Sequence, residues 1–81
     1  MSTAQDVVDV ALTPVDSSMI KAVGYDAATS TLLVRFTDGQ VYSYTDVPPE
    51  EYQGLLAAES HGKYFWRRIR NEYAFAKRGK L

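Results

Sequence analysis

The sequence predicts an α+β fold in which a three-stranded antiparallel β-meander is followed by two short α-helices. Three short segments rich in β-branched and aromatic residues come first, at residues 19–26, 31–37 and 40–45. Two segments with apolar residues at helical spacing follow, at residues 49–59 and 60–70. With 81 residues, the chain has room for one such domain.

The segments between the strands have the composition of hairpin loops. Residues 26–30, DAATS, are small and polar and suit a four- or five-residue loop. Asp38 and Gly39 separate the second and third strands by two residues, and both residue types tolerate the positive φ that a type I′ turn requires. The sequence therefore predicts a tight two-residue hairpin at this point.

This two-residue turn sets the register of the second and third strands. Arg35 would lie opposite Tyr42, and the pairing would continue outward to Tyr44. Because side chains alternate between the two faces of a strand, we expect Arg35, Tyr42 and Tyr44 together on one face. Val34 and Phe36 would then point to the other face, into the core.

Both helices have recognisable beginnings. The double proline at residues 48–49 ends the third strand and suits the first turn of a helix, and the glutamates at 50–51 complement the positive end of its dipole. Ser60 is a suitable N-cap for the second helix. In that helix, Phe65 and Ile69 share one side and are expected to be buried.

The other side of the second helix is basic. At about 100° per residue, Lys63, Arg67 and Arg70 form one stripe, with Trp66 at its edge. Arginines beside a tryptophan suit phosphate contact combined with stacking. The alternative interpretation is a solvated cationic face that complements the helix dipole.

Charge is divided unevenly along the chain. Residues 1–60 contain nine acids and two bases, a net charge of −7, whereas residues 61–81 contain seven bases and one acid, a net charge of +6. We divide the chain into an acidic N-terminal arm (1–16), a domain (17–76) and a basic C-terminal tail (77–81). The basic end indicates an acidic partner such as nucleic acid, or else electrostatic attraction between the two parts of the chain.

The sequence gives little indication of catalysis, of a cofactor or of membrane insertion. The chain has no cysteine and a single histidine, His61, beside Ser60. Adjacent residues at a helix start rarely form a nucleophile and base pair, and one histidine makes a poor metal site. We expect no enzyme activity, no metal and no cofactor. The N-terminus lacks the basic start and apolar run of a signal peptide. No apolar run reaches the roughly 18 residues of a transmembrane helix. We therefore expect a cytoplasmic protein without membrane contact.

The segments also resemble a known family. Tyr42-Ser43-Tyr44, the run from Val47 to Tyr52 (VPPEEY) and the run from Ser60 to Phe65 (SHGKYF) resemble, in order and spacing, the motifs of the KTSC domain. This small bacterial domain is named after the C-terminus of some lysyl-tRNA synthetases and also occurs as a stand-alone protein, the form that this chain resembles. The resemblance covers residues 17–76, and the association with a synthetase implies RNA binding.

These observations lead to one functional hypothesis and one rival. The first is a non-enzymatic module that binds nucleic acid, RNA in preference to DNA. Its predicted contacts are Arg35, Tyr42, Tyr44, Lys63, Trp66, Arg67 and Arg70. The rival is a protein-interaction module or homodimeric accessory protein, because aromatic residues and arginine are favoured at interface centres. In a third, purely structural interpretation, the tyrosine face is covered by the helices or the N-terminal arm and stabilises the sheet.

Overall fold

The computed structural model describes residues 12–80 and shows an antiparallel five-stranded sheet with two short helices. The strands, in chain order, are β1 (Thr13–Pro14), β2 (Ile20–Asp26), β3 (Thr31–Phe36), β4 (Gln40–Tyr44) and β5 (Phe75–Lys80). The helices are α1 (Pro49–Ala57) and α2 (His61–Tyr64), and α2 continues as a π-helical segment, Phe65–Ile69. The predicted α+β class is confirmed, but the prediction of three strands is wrong.

The two additional strands form the edges of the sheet, whose order is β1-β2-β3-β4-β5. β1 pairs with β2 and belongs to the segment predicted as an acidic arm, of which residues 1–11 lie outside the described part of the chain. β5 pairs with β4 from Tyr44↔Phe75 to Gln40↔Lys80. The segment predicted as a basic tail is therefore part of the sheet as far as Lys80. Pairing of β5 satisfies backbone groups that β4 would otherwise present as an open edge.

The β3–β4 hairpin differs from its prediction by one residue. Its loop contains three residues, Thr37, Asp38 and Gly39, with the Gly39 N–H donating to the Phe36 carbonyl at 2.9 Å and Gly39 at φ 92°. This is a turn followed by a glycine bulge, the usual solution for a three-residue hairpin loop.

The extra loop residue changes the register. Val34 pairs with Tyr42 and Arg35 with Val41, so Tyr42 and Tyr44 lie on the same face as Val34. The predicted grouping of these tyrosines with Arg35 is wrong, because a shift of one residue moves every side chain of a strand to the other face.

The hydrophobic core lies between this face of the sheet and the helices. Its buried members come from β2, β3 and β4, from the β4–α1 connection, from α1 and from the π-helical segment: Ile20, Val23, Leu32, Val34, Tyr44, Val47, Leu55, Phe65 and Ile69. Phe65 and Ile69 are buried as predicted. The helices thus cover the sheet on the side to which Tyr42 and Tyr44 point.

Helix α2 begins as predicted, since the Ser60 hydroxyl accepts a hydrogen bond from the Lys63 N–H at 3.2 Å. Helix α1 begins at Pro49 after Pro48, without a side-chain cap. Its other end is held by His61, whose Nδ1 lies 2.8 Å from the Leu55 carbonyl oxygen. The one histidine therefore joins the two helices.

Gly54 lets α1 and α2 approach closely. A Cβ built on Gly54 would lie 2.8 Å from Cζ of Tyr64 and closer still to its hydroxyl oxygen. The glycine that weakens α1 by its propensity thus makes room for a tyrosine of the next helix. Within residues 12–80, no helix is long and apolar enough to cross a membrane.

Candidate functional site

Five aromatic rings form a continuous cluster on the helix-facing side of the sheet. Each ring contacts at least two of the others, at centroid separations of 5.4 to 5.9 Å, and the five are Phe36, Tyr42, Tyr44, Phe65 and Phe75. Edge-to-face and tilted arrangements of this kind add to the stability gained from burial alone. The five rings therefore form one continuous aromatic surface.

A groove with a volume of about 540 Å³ opens over this cluster. β3 and β4 form its floor, β5 contributes one wall through Phe75, and the π-helical segment contributes the other through Trp66. Phe75 is 60% exposed and Trp66 is 50% exposed. Large aromatic surfaces on both sides of one groove leave flat apolar faces in contact with solvent.

Trp66 is held in position by two contacts. Its indole N–H donates to Sδ of Met19 at 3.2 Å, and the guanidinium carbon of Arg70 lies 3.9 Å from its ring centroid. Arg70 also lines the groove. The guanidinium therefore stacks on one face of the indole and places a cation at the rim of the groove.

Polar groups also line the groove. Thr37 and Asp38 of the β3–β4 turn, Gln40 at the start of β4, and Asn71 after the π-helical segment all line it. The Asp38 carboxylate accepts a hydrogen bond from the Gln40 backbone N–H at 2.9 Å. Among the described residues, Oε1 of Gln40 is buried and has no hydrogen-bond partner.

Tyr44 lies at the bottom of the groove and is 4% exposed. Burial raises the pKa of its phenol to about 12, with a further contribution from Tyr42 that the positive charge of Arg70 partly offsets. The structural interpretation, that this face packs beneath the helices, thus holds for Tyr44. Tyr42 is only partly buried and contacts the exposed Phe75.

The structure brings four of the seven sequence-predicted site residues together. Tyr42, Tyr44, Trp66 and Arg70 line the groove. Arg35 lies on the opposite face of the sheet, where its strand neighbour is Val41, because of the register change described above.

The predicted basic stripe of the second helix does not form. A π turn closes with a hydrogen bond from the Arg70 N–H to the Phe65 carbonyl at 2.9 Å, which spans five residues instead of four. Arg70 therefore turns to the groove, whereas Arg67 lines a separate cavity beside Arg68 and Glu72. Lys63 is exposed and lines neither cavity.

Glu51 is the centre of that separate cavity. Its carboxylate accepts hydrogen bonds from the Tyr64 hydroxyl at 2.5 Å and from the Tyr73 hydroxyl at 3.2 Å. Nε of Arg68 lies 3.7 Å from the same carboxylate. The pKa of Tyr64 is raised, mainly by its hydrogen bond to Glu51, and the pKa of Tyr73 is raised, first by burial and then by the same carboxylate. These contacts join α1, α2 and the segment before β5.

Sequence reasoning missed the groove residues outside the two predicted surfaces. Phe75 was assigned to the end of the domain, yet its ring forms a wall, and Gln40 was treated only as the first residue of a strand. The segment FAKRGK has no local strand signal, because three of its six residues are basic and one is glycine. Across residues 12–80, no group of three or more His, Cys, Asp or Glu side chains could hold a metal ion.

Comparison with known proteins identifies the family. The model of the KTSC domain matches residues 16–73. The chain belongs to the KTSC domain family. The crystal structure of a KTSC domain protein from Yersinia pestis has the same fold, with a TM-score of 0.84 and 31% identity, over 86% of this chain and 99% of that one. The central Tyr-x-Tyr motif of this KTSC domain is the floor of the groove.

Two relatives illustrate the range of proteins that this KTSC domain resembles. A protein of Tsukamurella paurometabola is 55% identical over 51 residues, which is 63% of this chain and 76% of that protein. A lysine–tRNA ligase of Nostoc punctiforme is 34% identical over 74 residues, which is 91% of this chain. The chain spans only 13% of the length of that ligase.

Proposed function

We propose that this KTSC domain is a non-enzymatic module that binds single-stranded nucleic acid, RNA in preference to DNA, in the groove between the sheet and the π-helical segment. The observation that carries the proposal is the pair of exposed rings, Trp66 and Phe75, on opposite sides of one groove with Arg70 at its rim. Unpaired bases bind proteins by stacking on such rings, at about 1–3 kcal/mol per base.

The charges around the groove favour a polyanion. Lys77 is exposed and pairs with Tyr42 across β4 and β5, so its side chain is on the groove face of the sheet. Together with Arg70 it provides a cation on each side of the aromatic cluster. Residues 61–81 carry a net charge of +6, which makes this end of the chain the favourable side for contacts with phosphates at short range.

The preference for RNA rests on the relatives. Three of them are named as lysine–tRNA ligases, and a domain shared with proteins that act on tRNA has a reason to contact RNA.

The single tryptophan of the chain provides a direct test. Because Trp66 is half exposed and forms one wall of the groove, a base stacked there should quench its fluorescence. Titration with single-stranded RNA of about 12 nucleotides at low salt should give saturable quenching that weakens as salt is added. Phe75→Ala removes the opposite wall and should weaken binding. Leu56→Ala is the control, since Leu56 is an exposed large apolar residue of the described chain that does not line the groove. Absence of quenching and of any binding by anisotropy would refute the proposal.

The rival function, protein interaction, uses the same surface. The groove has two exposed aromatic residues, Trp66 and Phe75, and an arginine, Arg70, at its rim. Aromatic residues and arginine are enriched at the centres of protein interfaces. Light scattering over a range of concentrations distinguishes the two functions. A dimer that dissociates on Phe75→Ala substitution, combined with no response to RNA, would favour the rival. A monomer that binds RNA would favour the proposal.

A further inference from the structure

We infer that the acidic segment before β1, residues 1–11, packs against the face of the sheet opposite the helices. This outer face is formed, in the three central strands, by Ala22, Gly24, Leu33, Arg35, Val41 and Ser43. Three observations carry the inference: the burial of the outer face, its positive charges, and the composition and reach of residues 1–11. The inference goes beyond the proposed function and does not depend on nucleic-acid binding.

The outer face is apolar and buried. Leu33 is 2% exposed, and Val41 and Ser43 are each 1% exposed, although all three point away from the core between sheet and helices. In an antiparallel sheet with one solvated face, polar residues alternate with apolar ones. In β3, by contrast, three consecutive apolar residues, 32–34, are buried. Both faces of β3 are therefore covered.

The described elements account for little of this cover. Within residues 12–80, both helices pack on the other face of the sheet, against Val34 and Tyr44. Arg78 of the edge strand β5 reaches the outer face, since its Nε donates to the Ser43 hydroxyl at 3.1 Å, but it is itself exposed. The cover over the middle of the sheet, at Leu33, is therefore best supplied by the eleven residues before Leu12.

The composition of residues 1–11 is complementary to the outer face. The segment contains three valines and two aspartates, and no lysine or arginine: Asp6, Val7, Val8, Asp9 and Val10. The valines match an apolar surface. The aspartates match two arginines of the outer face, Arg35, whose Nε is buried, and Arg78. A carboxylate beside a partly buried guanidinium compensates the cost of burying its charge.

The segment is also long enough to cross the outer face. It is joined to β1, which pairs with β2 at the edge of the sheet. Neighbouring strands lie about 4.8 Å apart, so β4 is about 14 Å from β1. A segment of this length spans about 16 Å as a helix and up to about 36 Å when extended. In either conformation it reaches from β1 across Gly24 and Leu33 to Val41.

The test uses nuclear Overhauser effects between methyl groups in the full chain. The valine methyls of residues 1–11 should show these effects with the methyls of Leu33 and Val41, and none with those of Leu55 or Ile69 in the core. In a mixture of isotope-labelled and unlabelled protein, the effects should arise within one chain. Effects between chains, with a doubled mass by light scattering, would assign the outer face to a second copy and overturn the inference. Absence of any effect between the segment and the outer face would also overturn it.

Substitution of the valines provides a second readout. Val7→Ser, Val8→Ser and Val10→Ser combined should lower the urea midpoint and shift the methyl resonances of Leu33 and Val41, because apolar cover is lost. Val8→Ser alone repeats the measurement if the triple variant does not fold. Leu56→Ala is the control, since Leu56 is exposed on α1 and should leave both quantities nearly unchanged. A wild-type midpoint with unshifted Leu33 and Val41 methyls in the valine variants would contradict packing of the segment on the outer face.

Discussion

The guanidinium of Arg70 lies 3.9 Å from the ring centre of Trp66, and both residues line one groove. The π turn that begins at Phe65 produces this pair, because its five-residue hydrogen bond carries Arg70 away from Arg67. The two arginines share one short segment, yet they border different cavities. This difference provides a matched comparison for nucleic-acid binding.

Arg70→Gln should weaken RNA binding more than Arg67→Gln. If Arg70 contacts one phosphate, its loss should reduce the slope of log affinity against log salt by about 0.7, the value for one contact to a single strand. Both substitutions remove one positive charge, so the difference between them isolates the groove contact from the general field. The measurement is anisotropy of labelled RNA over a range of salt concentrations. Equal slopes for the two variants would argue against a phosphate contact by Arg70.

Gly54→Ala should destabilise the domain by about 1–3 kcal/mol, although alanine in a helix normally stabilises by about 1 kcal/mol relative to glycine. The reason is that the added Cβ would overlap the ring of Tyr64. In a Tyr64→Ala background the overlap is absent, and the same substitution should become stabilising. Urea denaturation of the four proteins in this cycle measures the coupling. Stabilisation by Gly54→Ala in both backgrounds would show that the contact between the helices is not tight.

Glu51→Gln should lower the free energy of unfolding by about 1–3 kcal/mol, because the neutral amide loses the charge that strengthens the hydrogen bonds from two tyrosine hydroxyls and the ion pair with Arg68. Glu50→Gln is the control, since Glu50 is exposed in the same first turn of α1 and loses the same helix-dipole interaction. The pKa values of Tyr64 and Tyr73 should fall towards the ordinary value in Glu51→Gln only. Spectrophotometric phenolate titration measures them, and unchanged pKa values would contradict the assigned contacts.

Stability should fall as the pH rises from about 10 to about 12. The folded state raises the pKa of Tyr44 from 10.0 to about 12, so folding favours the neutral phenol. This contribution is complete below pH 10 and is lost as the pH rises through the folded pKa. A shift of two pKa units corresponds to about 2.7 kcal/mol. Urea midpoints measured across this range should decline less steeply in Tyr44→Phe than in the wild type, and parallel curves would show that Tyr44 is not the titrating group.

The β3–β4 hairpin shows where prediction from the sequence succeeds and where it stops. Its existence and both strands follow from the alternating apolar residues and from Asp38-Gly39. Its register does not, because the same dipeptide fits a two-residue type I′ turn and a three-residue loop that ends in a glycine bulge. The choice between them depends on which face of β4 the helices cover. Because the loop is one residue longer than predicted, Arg35 lies on the other face of the sheet from Tyr42 and Tyr44.

The groove could be predicted only in part, for similar reasons. Four groove residues could be predicted, because aromatic and basic side chains are typical of nucleic-acid contacts: Tyr42, Tyr44, Trp66 and Arg70. Phe75 depends on the pairing of β5 with β4, which joins segments separated by both helices and leaves no local signal. The π turn depends on how the helix packs, which a fixed rotation of about 100° per residue cannot describe.

The indole N–H resonance of Trp66 tests the central claim most directly, because the chain contains one tryptophan and this N–H points to Met19 at the groove. Nuclear magnetic resonance spectra recorded during titration with single-stranded RNA should show shifts of this signal and of backbone amides in β4 and β5. Residues of β2 should change little. Shifts confined to the surface around Glu51 and Arg67, or no shifts at RNA concentrations that saturate other single-strand binders, would contradict the account.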